Sequence, residues 1–465
     1  MSDRSRILRG GARAATGLVV VATCAVVVAL LGTTPLPEVT RAPLAITVDT
    51  TQNASRSLVC AGSFAELGAD TSRPGVAIPG GSPTVTVSGD VASSSELVRA
   101  EGGEGLPGVF SAPLADPLAA AQIQTVDTEN LQGVVASACA DPLNEQWLLG
   151  GATSTGISTT LSLGNPGSVP ATVQIAVFDE NGPVDAVQSA GVLVAPGAQQ
   201  IVSLNGYAPD SERIAVRVVS TGAPVTASLG VGQVEGISPF AASSVTRQSG
   251  PELRLVLPGI ANESDHEHGP SDSGEGDEFP VVVRAFAPGG ESGTARLRAV
   301  DRNGGSTDLG EIELTADAVG EAQLAHWPDG ANALIVEADV PVLAAALGSS
   351  TENELHDYEW FVPAPEIAAD EPVAVPLVSG GRLVLVNLGT EDAEVEIARA
   401  DGSGRPSTET IPAGAAAVVR APGKAVITSS EPLHAGVRYL GEGAIAGYPV
   451  LAPDPRDGEL IVYTR

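Results

Sequence analysis

One internal similarity constrains this chain more than any other feature. Residues 161–167 read Leu-Ser-Leu-Gly-Asn-Pro-Gly, followed by the alternating run Ala171–Asp179 and then Asn181-Gly182. Residues 383–389 read Leu-Val-Leu-Val-Asn-Leu-Gly, followed by 393–400 and then Asp401-Gly402. In both stretches 14 positions separate the asparagine from the aspartate, Asn165 to Asp179 and Asn387 to Asp401. A weaker middle copy carries Val281–Phe286, then Ala287-Pro288-Gly289, then Asp301-Arg302-Asn303-Gly304. Each copy closes on a proline before an apolar run: Pro224-Val225, Pro341-Val342 and Pro432-Leu433.

Val173-x-Ile175-x-Val177 and Val395-x-Ile397 repeat with period two, the pattern of a strand with one buried face and one wet face. Asn-Pro-Gly, Asn-Gly and Asp-Gly supply the turns, because Asn, Asp and Gly tolerate positive φ and proline presets it. A proline tolerated next to a strand points to an edge, where its missing N–H costs little. Strands separated by such turns every 8–15 residues or so predict β-sandwiches. The expected fold class is therefore all-β, with tandem immunoglobulin-like or fibronectin-like sandwich repeats after one N-terminal transmembrane helix. The copies could be beads on a string or one closed assembly; a propeller is the closed alternative.

The transmembrane expectation comes from the N-terminus. Arg4, Arg6, Arg9 and Arg13 precede an uncharged stretch at 14–34. About 20 apolar residues span a bilayer core, and cations on one flank place that flank inside. Residues 31–37 make a poor small-x-small cleavage site, so an uncleaved signal anchor is expected. Cys24 lies within the apolar run rather than at its end, which argues against lipidation. The remaining cysteines, Cys60 and Cys139, would lie in an oxidising compartment and are expected to form a disulfide. Closing that long loop is worth roughly 3–5 kcal/mol on the chain-entropy model.

The expected layout is a cytoplasmic N-terminus at 1–13, the anchor at 14–34, and a β-rich region with the disulfide at 35–143. Sandwich repeats follow at 144–250, at 251–350 with an acidic linker at 261–279, and at 351–465 with the tail. Within the linker, residues 262–278 hold seven carboxylates with His266 and His268 and no apolar side chain. Such a stretch cannot build a core and reads as a solvated loop. A weak divalent-metal trap is the alternative, although the spacing fits no zinc or EF-hand pattern.

Charge narrows the function. The chain carries 24 Lys+Arg against 56 Asp+Glu, and Lys424 is the single lysine. Without residues 1–34 there remain 20 cations and 55 acids, a net charge near −35. Phosphate neutralisation needs clustered cations, so no nucleic-acid partner is expected. Trp147, Trp327 and Trp360 could stack on sugars, but their apolar surroundings favour a place in the core or in a seam between repeats. Five histidines (His266, His268, His326, His356, His434) form no recognised catalytic pattern, and no nucleophile elbow, zinc-protease helix, phosphate loop or dinucleotide glycine motif is present. No catalytic residue, metal site or cofactor is assigned.

Cys60, Cys139-Ala140-Asp141-Pro142, Trp147 to Gly151, Thr153, Gly156, 161–167, Pro196-Gly197 and 218–225 together resemble an actinobacterial family of membrane-anchored extracellular proteins of unknown function. The resemblance implies a Gram-positive, GC-rich host and carries over no catalytic residue. The expected role is that of a non-enzymatic envelope protein at the cell membrane, with its C-terminal ectodomain outside and an envelope protein or the cell wall as partner. A cell-wall carbohydrate-binding module and an unrecognised hydrolase are the alternatives.

Overall fold

A computed structural model describes residues 17–27, 29–30, 44–49, 55–69, 72–114, 116–185, 191–264, 277–353, 355–451 and 459–464. Two compact units result, one formed by 1–53 with 455–465 and one by 54–454. In the smaller unit, residues 17–27 and 29–30 are helical, and Leu44–Asp49 pairs antiparallel with Glu459–Thr464. No helix among the described residues is long and apolar enough to cross a membrane. The expected anchor at 14–34 lies partly outside the described residues, as do 1–13.

The larger unit is built almost entirely of strands, and one pairing scheme of eight strands recurs in it. In the first copy these are Glu145–Leu149, Ile157–Asn165, Ala171–Asp179, Val192–Val194, Ala198–Ser203, Ala215–Thr221, Thr226–Glu235 and Ser238–Thr246. The first pairs with the sixth, the sixth with the third and the third with the fourth, making one sheet. In the other sheet the second pairs with the fifth and seventh, and the seventh with the eighth. The second copy repeats this from Glu252–Pro258 to Leu355–Phe361, with Ala331–Glu352 serving as both sixth and seventh strands. The third repeats it from Val373–Pro376 to Ala444–Pro449. Leu355–Phe361, which the expected layout assigns to the third repeat at 351–465, thus completes the second copy's sheet.

The N-terminal region follows a reduced form of the same scheme. Ser55–Val59 pairs with Gly108–Pro113, which pairs with Ser93–Glu96; Thr84–Ser88 pairs with Ala119–Asp127, which pairs with Gln132–Ala138. These are the first, sixth, third, second, seventh and eighth strands, and the fourth and fifth are missing. The unit therefore has four members rather than three.

The repeat motifs have local causes. Buried Asn165 and Asn387 end the second strand of their copies. Asn165 Nδ2 donates to the Val169 and Val194 carbonyls and its Oδ1 accepts from Gly167 N–H. Asn387 repeats all three bonds, with Glu391, Ile411 and Gly389. One side chain thereby fixes the turn into the third strand and ties it to the fourth. Asp179, Asp301 and Asp401 each accept from the N–H two residues on, at 2.7, 2.7 and 2.8 Å, closing the turn after the third strand.

Alternation in the second sheet of each member divides two faces between two cores. Val342, Ala344 and Ala346 pack against the second copy's own first sheet, whereas Leu343 and Ala345 pack into the core of the first copy. The third copy does the same: Leu383 and Leu385 face inward, and Val386 joins Val256, Val300 and Ile335 of the second copy. In the N-terminal member, Ala121, Val134 and Ala136 enter the core of the third copy, and Ser88 Oγ donates to the Ala425 carbonyl at 2.7 Å. Between the N-terminal member and the first copy, Val98–Arg99 pairs parallel with Ala198–Gln199. First and last members meet, so the four close into a ring. At 1.5–3 kcal/mol or so for each buried large aliphatic side chain, these shared faces contribute several kcal/mol to binding each member to the next.

Candidate functional site

The eighth strands, Gln132–Ala138, Ser238–Thr246, Leu355–Phe361 and Ala444–Pro449, touch in succession around the centre of the ring. Period two puts Asp357 and Glu359 on one side of Leu355–Phe361 and His356, Tyr358 and Trp360 on the other. Asp357 is 0% exposed and Glu359 1%. The Asp357 carboxyl gathers backbone N–H groups from the other three inner strands. Its Oδ2 accepts from Val134 at 2.8 Å and Ile445 at 3.4 Å, its Oδ1 accepts from Tyr358 at 3.0 Å, and the Ala242 amide also donates to it. Gly133 (φ +136°) makes this approach possible, because a Cβ there would lie 2.5 Å from Asp357 Oδ1 and 3.0 Å from the Ala242 nitrogen.

Glu359 Oε2 accepts from Ser243 Oγ at 3.1 Å, and that hydroxyl oxygen accepts from Trp360 N–H at 3.1 Å. Ser244 Oγ donates to the Ala136 carbonyl at 2.7 Å. Burial drives both carboxyls well above the usual carboxylate range, against the pull of their N–H and O–H donors, and for Glu359 the neighbouring Asp357 adds to the rise. On the opposite side, His356 sits between the rings of Phe240 and Phe279, at 4.3 and 3.9 Å, and hydrogen-bonds Thr351 Oγ1 at 2.8 Å. Burial pushes its imidazole down to about 4.

The seams between members are polar as well. Arg284, in the second strand of the second copy, pairs with Glu321 at 2.9 Å and lies 4.6 Å over the Trp360 ring. It donates to the carbonyls of Gly151 and Glu212 in the first copy. Gly150 (φ +143°) lets the backbone reach Trp360, since a Cβ there would meet that ring at 3.1 Å. The same approach accounts for the first of the two glycines in the Gly150-Gly151 pair. In the N-terminal member, buried Arg56 makes a bidentate pair with Asp141 at 2.8–3.1 Å and donates to the Leu118 carbonyl at 2.7 Å.

Cys60 and Cys139 are bonded. The bridge joins the end of the first strand to the end of the eighth, beside the Val59–Ala140 backbone pair. Trp147, Trp327 and Trp360 are 6%, 6% and 4% exposed. Trp147 stacks with Phe178 and with Phe286 of the second copy, so it belongs to core and seam together. His326 lies 3.5 Å from Asp277, and His434 contacts the Ala364 carbonyl at 2.9 Å. His266, His268 and most of the acidic linker lie outside the described residues. At its edge, Asn262 Nδ2 donates to Asp277 at 2.9 Å.

Sequence reasoning missed Asp357 and Glu359. The one available signal was the Asp-Tyr-Glu-Trp run at 357–360, where two acids alternate with two aromatics in a strand. As a chemical device the axial cluster is sealed: its carboxyls are engaged by amides and hydroxyls of the surrounding strands and are closed to solvent. It holds four strands together.

Comparison with known proteins gives one match, to the model of a family of unknown function (DUF5719) over residues 75–422. No curated protein and no solved structure matches the chain.

Proposed function

We propose, on the premise that the chain belongs to the DUF5719 family of unknown function, that it is a membrane-anchored extracytoplasmic envelope protein with a structural or protein-interaction role. The observation that carries this reading is how the polar groups inside the ring are used. Asp357, Glu359, Arg284 and the Arg56–Asp141 pair all bind one part of the ring to another. A substrate carried by solvent has no path to a carboxyl that is 0% exposed, so the Asp357 and Glu359 pair lends no support to a hydrolase. Three buried tryptophans likewise leave no broad ring of that type free to stack on a glycan.

The Cys60–Cys139 bond supports an oxidising compartment. The arginines before the apolar run support an anchor with its N-terminus inside, and Leu18, Val19, Val21 and Leu30 on the described helix are exposed. Each member reads as a variant of the immunoglobulin or fibronectin sandwich. In the three complete copies the second–fifth, third–fourth and third–sixth pairings are those of a Greek key, while the first and seventh strands take each other's usual places. The single lysine supports a GC-rich actinobacterial host. The test is capture from envelope extract with the full chain in detergent, alongside protease treatment of intact cells. The reading expects reproducible enrichment of an envelope protein and cleavage of the ring from outside; retention of no partner, or protection of the ring in intact cells, overturns it.

A further inference from the structure

The N-terminal member lacks two strands that the other three possess. Only residues 97–107 connect its third strand to its sixth, and part of that link, Val98–Arg99, pairs with the first copy instead. Among the described residues, no strand pairs with the outer edge of Thr84–Ser88 or of Ser93–Glu96. In the other copies the fifth and fourth strands occupy those two edges. Between them lies an open groove of about 780 Å³. Phe110, Leu106 and the exposed Val85 give it apolar surface, exposed Glu96 and Glu104 give it negative charge, and no Lys or Arg lines it.

We propose that this groove accepts an extended segment of a partner protein, added as a strand along Thr84–Ser88 or Ser93–Glu96, with apolar and basic residues in alternation. Three copies of the same scheme show what the fold places there, namely a strand. Open edges supply main-chain hydrogen bonds, and the groove sorts alternate side chains. Apolar residues of the segment face Phe110 and Val85, and cationic ones face Glu96 and Glu104. A second copy of this chain is a poor occupant, because it carries 56 acids against 24 cations and would bring like charge. The inference rests on the interaction role proposed above and names the chemistry of the partner.

The test uses the full chain in detergent and two labelled peptides, acetyl-Lys-Val-Lys-Val-Lys-Val-Lys-amide and its glutamate counterpart. The basic peptide should bind, weaken with salt, and slow amide exchange in 84–96; the acidic one should not bind. Glu96→Lys with Glu104→Lys should lower affinity at least tenfold, and Val85→Pro should abolish the exchange protection of Thr84–Ser88 if the segment adds along that strand, since proline has no N–H to offer. Both glutamates are exposed, so the charge reversal leaves the fold intact. Equal binding of both peptides, binding indifferent to the reversal, or self-association through this edge overturns the proposal. If envelope capture succeeds and is unchanged by the reversal, the groove assignment fails and the interaction role stands. Should the peptide bind as described while capture yields nothing, the reverse holds.

Discussion

Replacing Asp357 by alanine tests the axial cluster most sharply. The carboxyl receives N–H groups from Val134, Ala242 and Ile445, one from each of the other inner strands, and one from Tyr358. Without it, those amides remain buried with no replacement acceptor. An orphaned buried donor costs about 1–3 kcal/mol. The Val134 bond at 2.8 Å carries a full share and the Ile445 bond at 3.4 Å a smaller one. The sum for Asp357→Ala is about 3–6 kcal/mol, a large part of the 5–15 kcal/mol or so that holds a typical domain folded. Asp357→Asn keeps the volume but turns an NH2 toward one set of donors, so about 2 kcal/mol is expected, within the usual cost of an orphaned buried donor. Urea unfolding followed by tryptophan fluorescence reads these losses, because Trp147, Trp327 and Trp360 are all buried. A loss below 1 kcal/mol or so for alanine, or a larger loss for asparagine than for alanine, would refute the lock.

Other expectations follow from the same bonds. Asp357 and Glu359 titrate higher folded than unfolded, so their stabilisation is complete below the unfolded carboxylate range, about pH 4, and is lost as pH rises through their folded values. Glu359→Gln should flatten that decline in stability measured from pH 5 to 9 or so; a decline as steep as in the parent protein contradicts it. His356 has the opposite sign: its contribution is present above about 6.5 and is lost as pH falls through about 4, a gap worth about 3 kcal/mol. His356→Gln should remove this acid-side loss in the same titration. Arg56→Ala leaves the Asp141 carboxylate buried and alone and should cost about 3–5 kcal/mol. Arg217→Ala, which breaks the half-exposed pair with Glu145, should cost under about 1 kcal/mol. Cys60→Ser with Cys139→Ser should lower stability by about 4 kcal/mol, read from the urea midpoint. Gly133→Ala should destabilise the parent strongly but much less in the Asp357→Ala background, where the carboxyl it would strike is gone; additive effects would contradict that geometry.

Local chemistry was the part of this fold that sequence could report. Asn165, Asn387 and the aspartates of the turns are recognisable because each acts within a few residues of itself, and turn chemistry is a short-range code. The Cys60–Cys139 pairing was legible because only two cysteines lay outside the apolar run. Ring closure was not legible. The faces that join neighbouring members are Leu343-x-Ala345 and Val384-x-Val386 patterns, indistinguishable from any buried strand. Burial on both sides turns alternation into the continuous apolar runs of Val281–Val283 and 383–386, which hide which residue faces which neighbour. The fourth member escaped notice because it has lost the two strands between Glu96 and Gly108 and with them the Asn-to-Asp spacing. Asp357 resembled any acid in a strand; its role appears only once three distant segments converge on it.

Four members closed into one ring should behave as one body. Calorimetry of the disulfide-intact chain tests it directly. Closure predicts that 54–454 unfolds in a single transition whose calorimetric and van't Hoff enthalpies agree, and that Asp357→Ala moves the whole of it. Separate transitions for individual members, with only the second copy responding to Asp357→Ala, would contradict the ring.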